Sequence, residues 1–131
     1  MIRSSLPRSL LALVLTASAC GDGSAEPDGS TTPDHMVVSL CRSEARASNG
    51  DLAGAAAVFQ DQVHARLHTF VEELQSRDRA LAGKVLQAKE SVETAFAGGS
   101  NPELIEFRIL ALRLEVEKAL TATGASVPPC R

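Results

Sequence analysis

The chain has 131 residues and a formal net charge of −3; 44% of it is hydrophobic but only 3% aromatic, four Phe with neither Trp nor Tyr. An acidic balance without a basic cluster excludes the electrostatic footprint that nucleic acid or an anionic lipid surface requires. The scarcity of rings removes the stacking platforms on which sugars and nucleobases are commonly held, so a core has to be made of Leu, Val, Ile and Ala.

The first twenty residues read MIRSSLPRSLLALVLTASAC, with Arg3 and Arg8 ahead of an apolar run from Leu10 to Leu15 and the small residues Ala17, Ser18 and Ala19 behind it. That is the layout of a secretory signal, and the run is far short of the ~20 residues a membrane-spanning helix needs. Ala17, Ser18, Ala19 and Cys20 resemble the lipobox of bacterial lipoproteins, although the position three before the cysteine, usually Leu in that family, is Ala17 here. The resemblance implies removal of residues 1–19, a diacylglyceryl thioether on Cys20 and an acyl chain such as palmitate on its amine. It also implies an extracytoplasmic protein whose membrane contact is the lipid. Two or three long chains hold a protein firmly where a single myristoyl chain binds only marginally. The same small residues satisfy the rule of ordinary signal cleavage, which would release a soluble product beginning at Cys20. In both cases about 112 residues remain, enough for one small domain, and the loss of Arg3 and Arg8 takes the charge from −3 to −5.

Residues 20–33 then form a lipidated cysteine followed by a flexible linker. From Gly21 to Asp34 the sequence GDGSAEPDGSTTPD has no apolar periodicity and cannot offset its ordering entropy by burial. Random-coil scaling gives it a reach of roughly 20 Å.

Residues 34–131 carry helical patterning throughout, which predicts an all-α fold, a small antiparallel bundle of four helices behind the tether. A first helix should start near Asp34 and stop before Asn49 and Gly50, with Val37, Leu40, Cys41 and Ala45 on one side. Asp51 is a natural N-cap for a second, whose apolar positions Phe59, Val63, Leu67, Phe70, Val71 and Leu74 follow three-and-four spacing. A third places Leu81, Val85, Ala88, Val92 and Phe96 on a stripe ending at Gly98 and Gly99. The phase from Val63 to Ala95 also suits one unbroken helix of about 45 residues, roughly 70 Å long. Arg77 and Asp78 fall where that seam should be apolar, however, and Ser76 or Asp78 can cap a new helix, so a turn is expected at 76–78. Asn101 caps the last helix, with Pro102 at its first position, through to about Ala122.

That last helix is apolar on two sides. Ile105, Ile109, Leu112, Val116, Ala119 and Leu120 lie on one, and Phe107, Leu110, Ala111 and Leu114 on the other. Arg108 and Glu115 edge the second side along one boundary, and Glu106, Arg113 and Glu117 along the other. Two apolar sides suit either a helix between two neighbours inside a bundle or a helix that offers a surface to a partner or to a second copy.

Of the three cysteines, assigning Cys20 to lipid leaves Cys41 and Cys130 to pair in an oxidising compartment. Cys130 follows ASVPP, an extended tail starting where the last helix ends. In an antiparallel bundle that end lies beside the start of the first helix, within reach of Cys41. Free thiols or pairing between chains are the alternatives.

One constellation has chemical content. FQDQVHARLHTFVEE spaces Asp61, His64, His68 and Glu72 by three, four and four, which stacks them along one stripe of an α-helix. Two imidazoles four apart and a carboxylate suit zinc or copper, with His35 and Met36 as further candidates from the first helix. The alternative is a set of boundary and solvated residues that pair as charges. A zincin would need a Glu within the His pair as base, and no phosphate loop, nucleophile elbow or C-x-x-C spacing occurs. The pattern therefore leads to no enzyme. It leads to a membrane-anchored lipoprotein presenting a disulfide-closed helical bundle to an envelope protein or to itself, or alternatively to a metal-binding lipoprotein using Asp61, His64 and His68.

Overall fold

Local signals set the limits of every helix in the computed structural model, which describes residues 32–131. The signal-like segment, Cys20 and the linker as far as residue 31 lie outside the described residues. Helix α1 spans Pro33–Ser48, with Thr32 extended ahead of it and Pro33 in the first turn, where its missing N–H is no loss. It ends at Asn49 and Gly50, the latter at φ 79°, which lets the Asp51 N–H fold back onto the Arg46 carbonyl at 2.9 Å.

The second rod is built in three pieces: α2 (Leu52–Val58), a π-helical turn (Phe59–His64) and α3 (Ala65–Gln75). Asp51 caps it by accepting from the Gly54 N–H at 2.9 Å. A side chain at Gly54 would run into the Asp51 carboxylate and the Arg46 guanidinium that meets it. The π turn answers a feature of the sequence: Ala55, Phe59, Val63, Leu67 and Val71 repeat every four residues and all are buried. On an ideal α-helix each such step drifts by roughly 40° around the axis. A wider-wound turn advances each residue through a smaller angle and takes part of that drift back, so one line of side chains stays on the core.

The chain breaks at 76–78, where the sequence places it, and a single rod over 51–97 is not formed. Asp78 accepts from the Leu81 N–H at 2.9 Å and starts α4, Arg79–Ala97. Gly99, at φ 62°, turns the chain after α4, and Asn101 accepts from the Leu104 N–H at 2.9 Å to start α5, Pro102–Ala122.

Connections this short make successive rods antiparallel. Helix α1 packs on α2 and α5, while α4 packs on α3 and α5, so the first and last rods are neighbours and the ring of four is closed. One core cluster runs through all of them, with Leu40, Phe59, Leu67, Val85, Ile109 and Leu112 fully buried. Two stripes differ in detail from the expectation. Ala45 is exposed, and Ser43 and Ala47 face inward instead. On α4 the core line passes through Ala82, Val85, Lys89, Val92 and Ala95, leaving Leu81, Ala88 and Phe96 partly buried beside it.

Polar ties lock the rods. The buried Ser43 hydroxyl donates to the Ala55 carbonyl at 2.8 Å. Arg113 on α5 meets Glu44 on α1 at 2.8 Å and Glu117 at 2.6 Å. Burial alone would lower the Arg113 pKa, but the two carboxylates outweigh it and hold the guanidinium above its ordinary value. After α5 the tail runs back along α1, and Cys130 is bonded to Cys41 with Cα atoms 5.5 Å apart across a separation of 89 residues.

Candidate functional site

The two apolar sides of α5 meet different fates. Ile105, Ile109, Leu112, Val116, Ala119 and Leu120 are at most 2% exposed, buried in the bundle. On the opposite side Phe107 is 58% exposed, Leu114 43% and Leu104 39%, with Leu110 and Ala111 half-buried between them. The cause is the closed ring: both neighbours of α5 lie toward the core, so nothing in the described chain remains to cover the outer stripe.

Beside that stripe runs a shallow groove of about 420 Å³, walled by Ala88 and Ser91 of α4 and by Ala111, Leu114 and Glu115 of α5. Charged groups edge it. The Arg108 guanidinium carbon lies 5.9 Å from the centre of the Phe107 ring. Glu115 Oε1 accepts from Lys118 Nζ at 2.7 Å, while Glu115 Oε2 is buried and accepts nothing.

The histidine constellation is arranged differently from the expectation. His64 Nδ1 lies 2.8 Å from Glu93 Oε1 on α4, and the same oxygen accepts from Lys89 Nζ at 2.7 Å. The His64 contact is close but poorly directed, since Nδ1 completes no hydrogen bond by angle. A ring nitrogen and a carboxylate oxygen at that distance attract only with a proton on Nδ1. His68 stacks edge-on against His64, ring centres 4.8 Å apart.

The set Asp61, His64 and His68 is not assembled as a metal site: among the described residues no three His, Cys, Asp or Glu side chains gather where an ion could be held. Asp61 and His64 both lie in the π turn; Asp61 is exposed, while His64 meets Glu93 on α4. Glu72 is exposed as well. Met36 is buried in the core, and His35 lines a separate cleft with Arg42, Gln62 and Arg66.

Lys89, only 5% exposed, is the residue that sequence reasoning missed. Lys89 and Glu93, four apart, read as an ordinary solvated helix pair. Its one visible signal is that it occupies the slot between Val85 and Val92 on the apolar line.

Among the described residues no helix is long and apolar enough to cross a membrane. Comparison with protein-family profiles, curated proteins and solved structures finds no match. The structure itself defines the class: an all-α, antiparallel four-helix bundle closed by a disulfide, with one apolar helix face left bare.

Proposed function

We propose that this chain is a bacterial lipoprotein, anchored through lipid on Cys20 and without enzymatic activity, whose bundle offers the outer face of α5 to a protein at the cell envelope. The observation that carries this reading is the bare stripe of Leu104, Phe107 and Leu114, since contiguous exposed apolar surface on a folded domain marks an interaction site. The lipobox resemblance at Ala17 to Cys20 supports the location. A disulfide between Cys41 and Cys130 suits a compartment outside the cytoplasm, where such bonds persist. The Gly-, Ser- and Pro-rich composition of the sequence between Cys20 and the first helix supports a tether between lipid and bundle. The polar cluster around Glu93 is occupied in neutralising the buried Lys89, which makes it a packing device.

The test is cross-linking in native membranes followed by purification and intact-mass measurement. The reading expects a species beginning at Cys20 with added hydrocarbon, and a protein adduct that Phe107→Asp removes. A species beginning at Cys20 without hydrocarbon, or adducts indifferent to Phe107→Asp, would contradict it.

A further inference from the structure

We infer that the cleft between α1 and the second rod is a binding site for a compact phosphate group, inorganic phosphate or a phosphate monoester. The site is independent of the outer face of α5. It lies on the side of the ring opposite the groove between α4 and α5.

The cleft is built at helical spacing. His35, Val38, Ser39 and Arg42 follow one another along one side of α1, and Gln62 and Arg66, four apart, face them from the π turn and α3. Together they wall a space of about 280 Å³. That is below the roughly 300 to 1,000 Å³ of sites for drug-sized ligands, so the cleft suits a small group.

Its charge is of one sign. Two arginines and an imidazole line it, and no carboxylate does. Asp34 and Asp61 precede His35 and Gln62 in the chain, but successive residues do not share a helix face, and neither borders the cleft. Arg66 also borders an adjoining cleft that Glu73 lines, which makes Arg42 the stronger anchor.

Arg42 is held in an unusual way for this bundle. Arg46, Lys89, Arg113 and Lys118 each meet a carboxylate, which offsets their charge. Arg42 Nη1 instead donates to the neutral amide oxygen of Gln62 at 2.9 Å. The buried Ser39 hydroxyl donates to the same oxygen at 3.2 Å and fixes the amide. That contact positions the guanidinium without cancelling its charge and uses one of its five donors.

Donors on two rods favour phosphate over carboxylate. A carboxylate offers two oxygens in one plane and a single charge. A phosphate monoester offers three acceptor oxygens and up to two charges, so it can meet Arg42 on one wall and Arg66 on the other. Two guanidiniums are too small a footprint for a nucleic acid, which binds through a run of phosphate contacts.

The test is calorimetric titration of the lipidated chain in detergent, at constant ionic strength, with inorganic phosphate, methyl phosphate, dimethyl phosphate and acetate. Saturable binding of the first two is expected, with acetate and dimethyl phosphate, the diester of phospholipid headgroups, each about tenfold weaker or more. Arg42→Gln should weaken phosphate binding by about tenfold, as for loss of one charge-assisted contact, and Arg66→Gln in the same direction. Lys84→Gln, at an exposed position on α4, should leave it unchanged. Melting temperatures without phosphate check that each variant folds. If Arg42→Gln fails that check, Arg42→Lys, which keeps the charge and loses the planar fork, should show weakened binding in its place. Absence of saturable phosphate binding would overturn the inference, as would binding indifferent to both arginine changes or weakened equally by Lys84→Gln. Dimethyl phosphate or acetate bound as tightly as methyl phosphate would overturn it too, by assigning the cleft to a lipid headgroup or a carboxylate.

Discussion

Along α5, the side turned toward α1 and α4 and the side turned away differ little in composition and greatly in environment. Ile105, Ile109 and Leu112 are sealed in the core, while Leu104, Phe107 and Leu114 face outward. Side-chain chemistry does not produce the difference. It follows from connectivity: three short turns and a closed ring give α5 two neighbours on one side and none on the other. Hydrophobicity drives a surface out of water, but topology decides whether the same chain can supply the cover. A face left bare after the ring has closed is covered by nothing among the described residues.

The largest effect on this comparison should come from the bond that ties the tail to α1. Closing a loop of 89 residues constrains the unfolded chain by about 4 to 5 kcal/mol in the chain-entropy model, an upper value. Cys130→Ser, which leaves the buried Cys41 thiol in place as a small apolar group, is expected to lower unfolding stability toward that limit in urea titrations. A loss under about 1 kcal/mol would mean that the core side of α5 is held by packing alone.

A smaller effect belongs to the α1–α2 turn, remote from the outer face. The amide of Gly54 and then the guanidinium of Arg46 hold the Asp51 carboxyl below its ordinary range. A carboxyl whose folded pKa is depressed stabilises the fold above its unfolded pKa, roughly 3.9, and loses that contribution as pH falls through the lower folded value. Asp51→Asn should therefore remove part of the acid sensitivity of the unfolding midpoint between about pH 5 and pH 2. Parallel acid profiles for the parent and the variant would remove Asp51 from this role.

The sequence was most legible where structure is fixed locally. Asp51, Asp78 and Asn101 each accept the helical N–H three residues on, and Gly50 and Gly99 take the left-handed turns after α1 and α4. The return of the tail to Cys41 was legible too, because it needed only the direction of the rods. What escaped depends on winding and on neighbours. A repeat of four residues looks like an ordinary helix until it has to stay in line over five positions, which the π turn at Phe59–His64 achieves. Alanine carries little periodic signal, which is why Ala45 and Ala47 exchanged places. Lys89 reads as polar, yet its stem fills a core slot while its amine reaches Glu93.

The central claim is that one side of α5 holds the bundle together and the other does not. It is tested most directly by urea unfolding of Leu112→Ala and Phe107→Asp side by side, at protein concentrations low enough to keep copies apart. Leu112→Ala should lower stability by about 2 to 5 kcal/mol, as for a buried leucine, and Phe107→Asp by less than about 1 kcal/mol, as for a surface position. If Phe107→Asp destabilised the separated chain as much as Leu112→Ala, the outer side would be part of the core and the account would be contradicted.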